Sequence, residues 1–212
     1  AALVAALAAV AVAAADPLDP KTKLNAADQS AAKAALLTKA DLGAGWTTGP
    51  TVANLKTPRC PALQPNFHDL TLTAHVESDF FLQSAGWQID SDVTVLKTAK
   101  QVATQYKRLF QPGLTTCIKY DVLKSTGSDP NIKLGFTKRV SFPKLATVAA
   151  LYRTTIFDTV GKQTVAVLDD TIFLSKGRTQ LWLNFVAPST DQTELELREQ
   201  EIAKTLLNRA RV

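Results

Sequence analysis

The chain has 212 residues, of which 46% are hydrophobic and 20% charged, and its formal net charge is +5. This composition is typical of a globular protein and excludes a disordered or fibrous chain. The densest basic group, at residues 97–108, is explained by a solvated helix surface, and acidic residues are interspersed elsewhere. We therefore expect no nucleic-acid partner.

Residues 1–15 are uncharged and consist only of Ala, Val and Leu. As a helix they would be about 22 Å long, shorter than the roughly 30 Å hydrocarbon core, so no transmembrane span is expected. We interpret them as part of a signal peptide that ends in the small residues Ala13, Ala14 and Ala15. The alternative is a retained helix that packs on a neighbouring subunit, which would make the protein a homo-oligomeric assembly subunit.

Residues 16–25 are polar and interrupted by proline, which predicts a linker. Residues 26–212 are expected to form a single domain. An Ala-rich helix begins this domain and ends near the sequence GAG at residues 43–45. Residues 47–66 contain four prolines and therefore predict a long irregular loop.

Two strands of alternating polarity follow this loop, joined by the turn QSAG. The first strand, LTLTAHVESDFF, places Leu72, Ala74 and Val76 on one face. A helix at residues 98–110 and a short helix after Gly113 come next. The remainder of the chain predicts a C-terminal helix preceded by four strands, at residues 131–142, 147–158, 163–175 and 179–187.

The predicted order of elements is α-β-β-α-α-β-β-β-β-α. Short turns between alternating strands are typical of antiparallel pairing. We therefore predict an α+β fold with a single antiparallel sheet of about six strands and helices packed on one face.

The chain contains two cysteines, Cys60 and Cys117. No C-x-x-C or H-x-x-x-H spacing favours a metal site, and neither His68 nor His75 is near Cys117 in the sequence to activate a thiol. An even cysteine count behind an export signal indicates one Cys60–Cys117 disulfide. Two free buried thiols are the alternative.

Other residues that could carry chemistry have simpler explanations. His75, Glu77 and Asp79 alternate on one strand and could bind a metal, but a polar strand surface explains them equally. Asp169 and Asp170 are adjacent in a strand, where a bulge or a strand break competes with general acid–base catalysis. No phosphate-binding, dinucleotide-binding or nucleophile-elbow motif occurs, so neither a cofactor nor a metal is expected.

Several segments together resemble a group of exported actinobacterial domains. They are ALLTKADLGAGW, a Cys in a Pro-rich loop, ESDFF, SDVTVLKTAKQVATQY, a second Cys and KGRTQLWLNF. That group includes the extracellular sensor domains of some receptor-type Ser/Thr kinases and related small secreted proteins, with an architecture similar to the Mog1/PsbP-like fold. The resemblance implies ligand sensing or protein binding at the cell envelope, without catalysis.

The expected function is therefore that of a secreted or periplasmic, non-enzymatic binding module for a small apolar or envelope-derived ligand or a partner protein. Four large aromatic residues are candidates to line its pocket, although core packing competes for each: Trp46, Trp87, Tyr152 and Trp182. The alternatives are the assembly subunit and a hydrolase that uses His75 or the Asp169–Asp170 pair.

Overall fold

A computed structural model describes residues 16–49, 60–79, 81–125 and 129–212. In this part of the chain nine strands form one sheet. The strands are β1 (Lys21–Thr22), β2 (Trp46–Thr48), β3 (Thr71–Glu77), β4 (Phe81–Gln83), β5 (Gln88–Leu96), β6 (Ile132–Val140), β7 (Val148–Val160), β8 (Gln163–Lys176) and β9 (Thr179–Pro188). The helices are α1 (Ala26–Ala34), the single turn α2 (Lys39–Leu42), α3 (Ala99–Leu109), α4 (Leu114–Ser125) and α5 (Gln192–Arg209).

The sheet runs in the order β1-β3-β5-β9-β8-β7-β6, with β4 on the same edge of β5 as β3, and β2 paired with β4. Every pair is antiparallel except β1 with β3, which is parallel. The prediction of six antiparallel strands is therefore wrong in number and in orientation, whereas the α+β class is confirmed. The three strands that it missed, β1, β2 and β4, have only two or three residues each, too few to show alternation.

The helices pack on both faces of the sheet, so the prediction of one covered face is also wrong. Strand β8 explains why both faces are covered, because it carries apolar side chains on each of its two faces. Leu168, Ile172 and Leu174 join a core with α1, α2 and α5, while Phe173 joins a second core with α3 and α4. A strand that is apolar on both faces requires cover on both.

Local sequence fixes where the helices begin and how they dock. The Asn25 side chain accepts a hydrogen bond from the Asp28 amide at 2.8 Å, which caps α1. Thr98 caps α3 in the same way. The apolar stripe of α3 faces the sheet, and the buried Tyr106 hydroxyl donates to the Leu174 carbonyl at 2.8 Å.

In two strands the apolar side chains switch from one face of the sheet to the other partway along the strand, because the pairing register shifts. In β3 the shift lies between Leu72 and Ala74, so that Leu72 packs with the α3–α4 core and Ala74 with the α5 core. The predicted shared face of Leu72 and Ala74 is therefore wrong. In β6 a shift between Leu134 and Thr137 has the same effect, which is the usual consequence of a β-bulge.

Residues 16–25, expected to be a linker, contain β1 and the cap of α1. Residues 1–15 lie outside the described part of the chain, so the signal-peptide and assembly interpretations stay predictions. Among the described residues, none of the helices is both long and apolar enough to cross a membrane.

A buried ion-pair network connects the sheet to α5. The Arg153 guanidinium on β7 donates to Asp170 on β8, with Nε–Oδ1 and Nη2–Oδ2 distances of 2.8 and 2.6 Å, and its Nη1 donates to Glu196 at 3.2 Å. Glu199, with 1% of its surface exposed, lies in the same network, and burial together with its hydrogen bond to Asp170 raises its pKa. The neutral form of Glu199 is therefore favoured in the folded protein.

The predicted disulfide is confirmed: Cys60 and Cys117 are bonded, with their Cα atoms 5.6 Å apart. Cys117 is buried on α4. The bond therefore fastens the end of the Pro-rich loop to the helical layer that covers one face of the sheet.

Reduction of this disulfide is expected to lower the free energy of unfolding. The cysteines are 57 positions apart, and closing a loop of that length contributes about 4 kcal/mol in the chain-entropy model. Urea unfolding with and without reductant measures the difference, and a Cys60→Ser/Cys117→Ser variant, which should not respond to reductant, is the control. An unchanged unfolding midpoint on reduction of the wild type would contradict the prediction.

Candidate ligand-binding cleft

The α3–α4 face of the sheet is polar over its central strands. On β5 the residues that point to this face are Asp90, Asp92 and Thr94, while Ile89, Val93 and Val95 point into the other core. Two rungs of neighbouring residues run across the sheet on the polar face: Asp90–Asn184–Thr171 and Asp92–Trp182–Phe173. Carboxylates therefore lie beside an indole in a layer that the helices cover only in part.

Two cavities lie on this face of the sheet. The first has a volume of about 350 Å³ and lies between the sheet, α3 and the loop before β3. We call it the apolar cavity. Trp182 contributes to its wall and has 37% of its surface exposed. The other apolar and aromatic residues that line it are Leu63, Phe67, Leu72, Tyr106, Leu109, Phe173 and Leu181. Polar residues complete the lining: Asp19, Gln64, His75, Asp92, Thr94, Gln105 and Gln180. A mixture of apolar walls and polar groups is typical of small-molecule sites.

His75, Asp92 and Thr94 form part of the polar lining of the apolar cavity. The Asp92 carboxylate is hydrogen-bonded to His75 Nε2 through one oxygen and accepts from the Thr94 hydroxyl at 3.1 Å through the other. The bond to Asp92 raises the pKa of His75 above its ordinary value of 6.5. In a nucleophilic triad the histidine contacts the hydroxyl, whereas here the carboxylate separates the two groups.

His75 and Glu77 also belong to a set of potential metal ligands, but with Asp92 instead of the predicted Asp79. One ligand atom of each of the three lies within 4.8 Å of the others. Three partly exposed ligands are fewer than the four of a structural zinc site. His75 Nε2 is moreover engaged by Asp92.

A second cavity, of about 270 Å³, shares Leu63 and Trp182 with the first. We call it the acidic cavity, because Asp90, Asp121 and Asp169 line it. Its remaining lining residues are Ile118, Val122, Thr171 and Asn184, so no Lys, Arg or His is among them.

The acidic cavity holds carboxyl groups in an unfavourable environment for charge. Burial raises the pKa of Asp169 to about 7 and that of Asp90 to about 6. Burial also raises the pKa of Asp121. The Asn184 amide donates to Asp169 Oδ1 at 2.9 Å, which lowers the pKa of Asp169 but does not offset burial.

Asp169 and Asp170 do not act as a pair. Strand β8 is regular at this point, without the predicted bulge or break, so the two side chains project to opposite faces. Asp169 faces the acidic cavity, whereas Asp170 binds Arg153 beneath α5. Shared acid–base chemistry between them is therefore not supported.

The four aromatic residues predicted to line a pocket lie on different faces. Trp46 and Trp87 are buried in the α5 core, and the Trp87 indole donates to Asp191 at 3.1 Å. Tyr152 is buried in the α3–α4 core. Trp182 lines both cavities of the cleft. A binding role for any of the four stays a prediction, and the geometry favours Trp182.

Sequence reasoning singled out Asp169 and Trp182 but missed the other residues of the acidic cavity. The alternating pattern of β5 predicts that Asp90 lies on the polar face of the strand, because the apolar Ile89 and Val93 lie on the other face. Asn184 is only 15 positions from Asp169, in the next predicted strand, so strand pairing contained a signal for it. No sequence signal brings Asp121 on α4 to the same cavity.

No protein-family model matches this chain, and neither does any curated protein sequence. Among solved structures it is similar to LpqN, described as involved in cell envelope biogenesis of Mycobacterium tuberculosis, at 12% identity over 76% of each chain and a TM-score of 0.30. It is also similar to PA94 of Pseudomonas aeruginosa, a protein of unknown function, at 10% identity over 76% of this chain and 94% of the other, with a TM-score of 0.28. At these TM-scores the likenesses support no conclusion on fold or function.

The Asp169→Asn substitution is expected to flatten the dependence of stability on pH. Asp169 has a folded-state pKa of about 7 against an ordinary value of 3.8, so the wild type loses stability as the pH rises between these values. Asparagine does not titrate and can still accept the bond from Asn184. The variant should therefore gain stability relative to the wild type from about pH 4 to pH 8.

Urea unfolding across that pH range measures the effect. Glu201→Gln, which removes an exposed carboxylate from α5, is the matched control and should follow the wild type. Parallel pH profiles for Asp169→Asn and the wild type would contradict the prediction.

Proposed function

We propose that this protein is an exported, non-enzymatic module of the bacterial cell envelope that binds a small apolar ligand in the apolar cavity. The observation that carries the proposal is the cavity itself, about 350 Å³ in volume and walled by aromatic and aliphatic side chains of the sheet, α3 and the loop. Its volume falls in the range of small-molecule sites, and polar side chains from the sheet, α3 and the loops complete its lining.

Two features support binding over catalysis. The Asp92 carboxylate separates His75 from the Thr94 hydroxyl, so that this histidine does not activate the hydroxyl. Asp169 and Asp170 face different layers and cannot exchange a proton across one substrate. A binding module needs neither arrangement, and it needs only the apolar volume and an opening.

Export is supported by the disulfide and by the apolar N-terminal segment. Disulfides persist in oxidising compartments outside the cytosol, and residues 1–15 have the composition of a signal peptide. The resemblance to envelope sensor domains points to the same compartment.

Ligand binding is tested with the fluorescent apolar probe N-phenyl-1-naphthylamine. The wild type should bind it, and Trp182→Ala should weaken binding about tenfold, because the substitution removes an aromatic wall of the cavity. Phe136→Ala, which removes a side chain that is 54% exposed on the opposite face, is the matched control and should bind like the wild type.

Circular dichroism of each variant establishes that it is folded. The absence of probe binding to the wild type, or equal losses of affinity in the two variants, would contradict the assignment of the apolar cavity.

Export is tested by the intact mass of the protein from its native host, with thiols alkylated before and after reduction. Cleavage after Ala15 should give a chain that begins at Asp16, and Cys60 and Cys117 should react only after reduction. Thiols that react without reduction would argue against export. A chain that retains residues 1–15 would favour the assembly subunit instead.

A further inference from the structure

The acidic cavity carries negative charge that the described residues do not neutralise. Asp90 on β5, Asp121 on α4 and Asp169 on β8 line it, and its other lining residues are neutral. Two other buried carboxylates have a guanidinium partner: Asp28 is paired with Arg178, and Asp170 with Arg153. Because the whole chain has a net charge of +5, this concentration of carboxylates is a local property of the cleft.

Asp169 is the most constrained of the three, since only 8% of its surface is exposed. Its Oδ1 accepts from Asn184 at 2.9 Å. Burying a carboxyl group beside two others disfavours its charged form, and a cationic donor placed in the cavity would offset that cost. The raised pKa values of Asp90 and Asp169 report the same unfavourable environment.

The indole of Trp182 joins this acidic cavity to the apolar one. Trp182 lines both cavities. Asp92 lies opposite it on the neighbouring strand β5, and Asn184 follows it on the same face of β9. An aromatic face attracts an organic cation, and nearby carboxylates strengthen that attraction. A ligand that extends past Trp182 would therefore place an apolar body in one cavity and a polar end in the other.

We propose that the ligand of the apolar cavity is a cationic amphiphile whose alkylammonium group binds among Asp90, Asp121 and Asp169. This inference rests on the proposed function, because it assigns the charged end of the same ligand.

An organic cation fits the cavity better than a metal ion does. Among the described residues, the set of three ligand atoms close enough to share a metal is His75, Glu77 and Asp92, and none of the three carboxylates of the acidic cavity belongs to it. A metal ion requires its oxygen ligands at 2.0 to 2.6 Å, as for Mg²⁺ and Ca²⁺. An ammonium group on a chain is larger and accepts wider spacing, and the aliphatic Ile118 and Val122 beside the carboxyls suit its methylene groups.

The experiment compares three ligands with the same ten-carbon chain by isothermal titration calorimetry below their aggregation concentrations. They are decylammonium, decanol and decanoate. At pH 8 the wild type is expected to bind decylammonium about tenfold more tightly than decanol, as one charge-assisted hydrogen bond in a desolvated site provides, and decanoate least. In Asp90→Asn/Asp169→Asn this preference should disappear while decanol binding stays unchanged. Glu201→Gln is the control and should keep the preference.

The preference should also depend on pH in the wild type. Asp90 and Asp169 release their protons at pH values of about 6 and 7, so the ratio of decylammonium to decanol affinity should rise between pH 5 and pH 8. Asp19, Asp92, Asp121 and His75 also face the cleft. Burial raises the pKa of Asp121, and the bond to Asp92 raises that of His75. This measurement needs no variant, so it tests the preference for a cation even if the double variant does not fold. The single variant Asp169→Asn, which keeps His75, should show a smaller rise than the wild type.

The outcomes separate this inference from the proposed function. Equal binding of decylammonium and decanol to the wild type would contradict the proposal of a cationic head group. It would remain consistent with an apolar ligand in the apolar cavity. Failure of all three ligands to bind would overturn both. Stabilisation by Ca²⁺ alone, lost in the double variant, would reassign the carboxylates to a metal ion.

Discussion

Burial of strand β8 on both of its faces is the constraint on which the rest of the structure depends. Residues 168–175 are all buried, and their side chains alternate between two cores. A strand buried in this way needs neighbours on both edges and helices above and below it. Strands β7 and β9 supply the edges, α5 covers one face, and α3 with α4 covers the other.

The two faces of β8 handle charge in opposite ways. Toward α5, Asp170 receives three hydrogen bonds from Arg153, and Glu199, whose pKa is raised by burial, lies in the same network. Toward α4, Asp169 receives one amide hydrogen bond and shares a cavity with two further carboxyls. A neutralised charge is compatible with a structural role, whereas carboxyl groups left without a counter-ion in a cavity are typical of functional sites.

The disulfide and α3 together determine how open the cleft is. The Tyr106 hydroxyl fixes α3 to the Leu174 carbonyl, and the Cys60–Cys117 bond holds the loop that contributes Leu63 against α4. Leu63 lines both cavities, so a change in the position of this loop would alter the wall they share. The stability of the fold and the shape of the cleft are therefore connected through one covalent bond.

The sequence by itself determined the α+β class, the longer strands and helices, and the cysteine pair, because each depends on local periodicity or on the number of cysteines. Its alternation also placed Asp90 and Asp92 on the face of β5 opposite Ile89 and Val93. Only the tertiary structure decided that helices cover both faces and that Asp90, Asp121 and Asp169 line one cavity. The cavity depends on the pairing of β5 with β9, which joins residues about ninety positions apart, and on the packing of α4 over the same face of the sheet. Short-range patterns carry no information on such pairings.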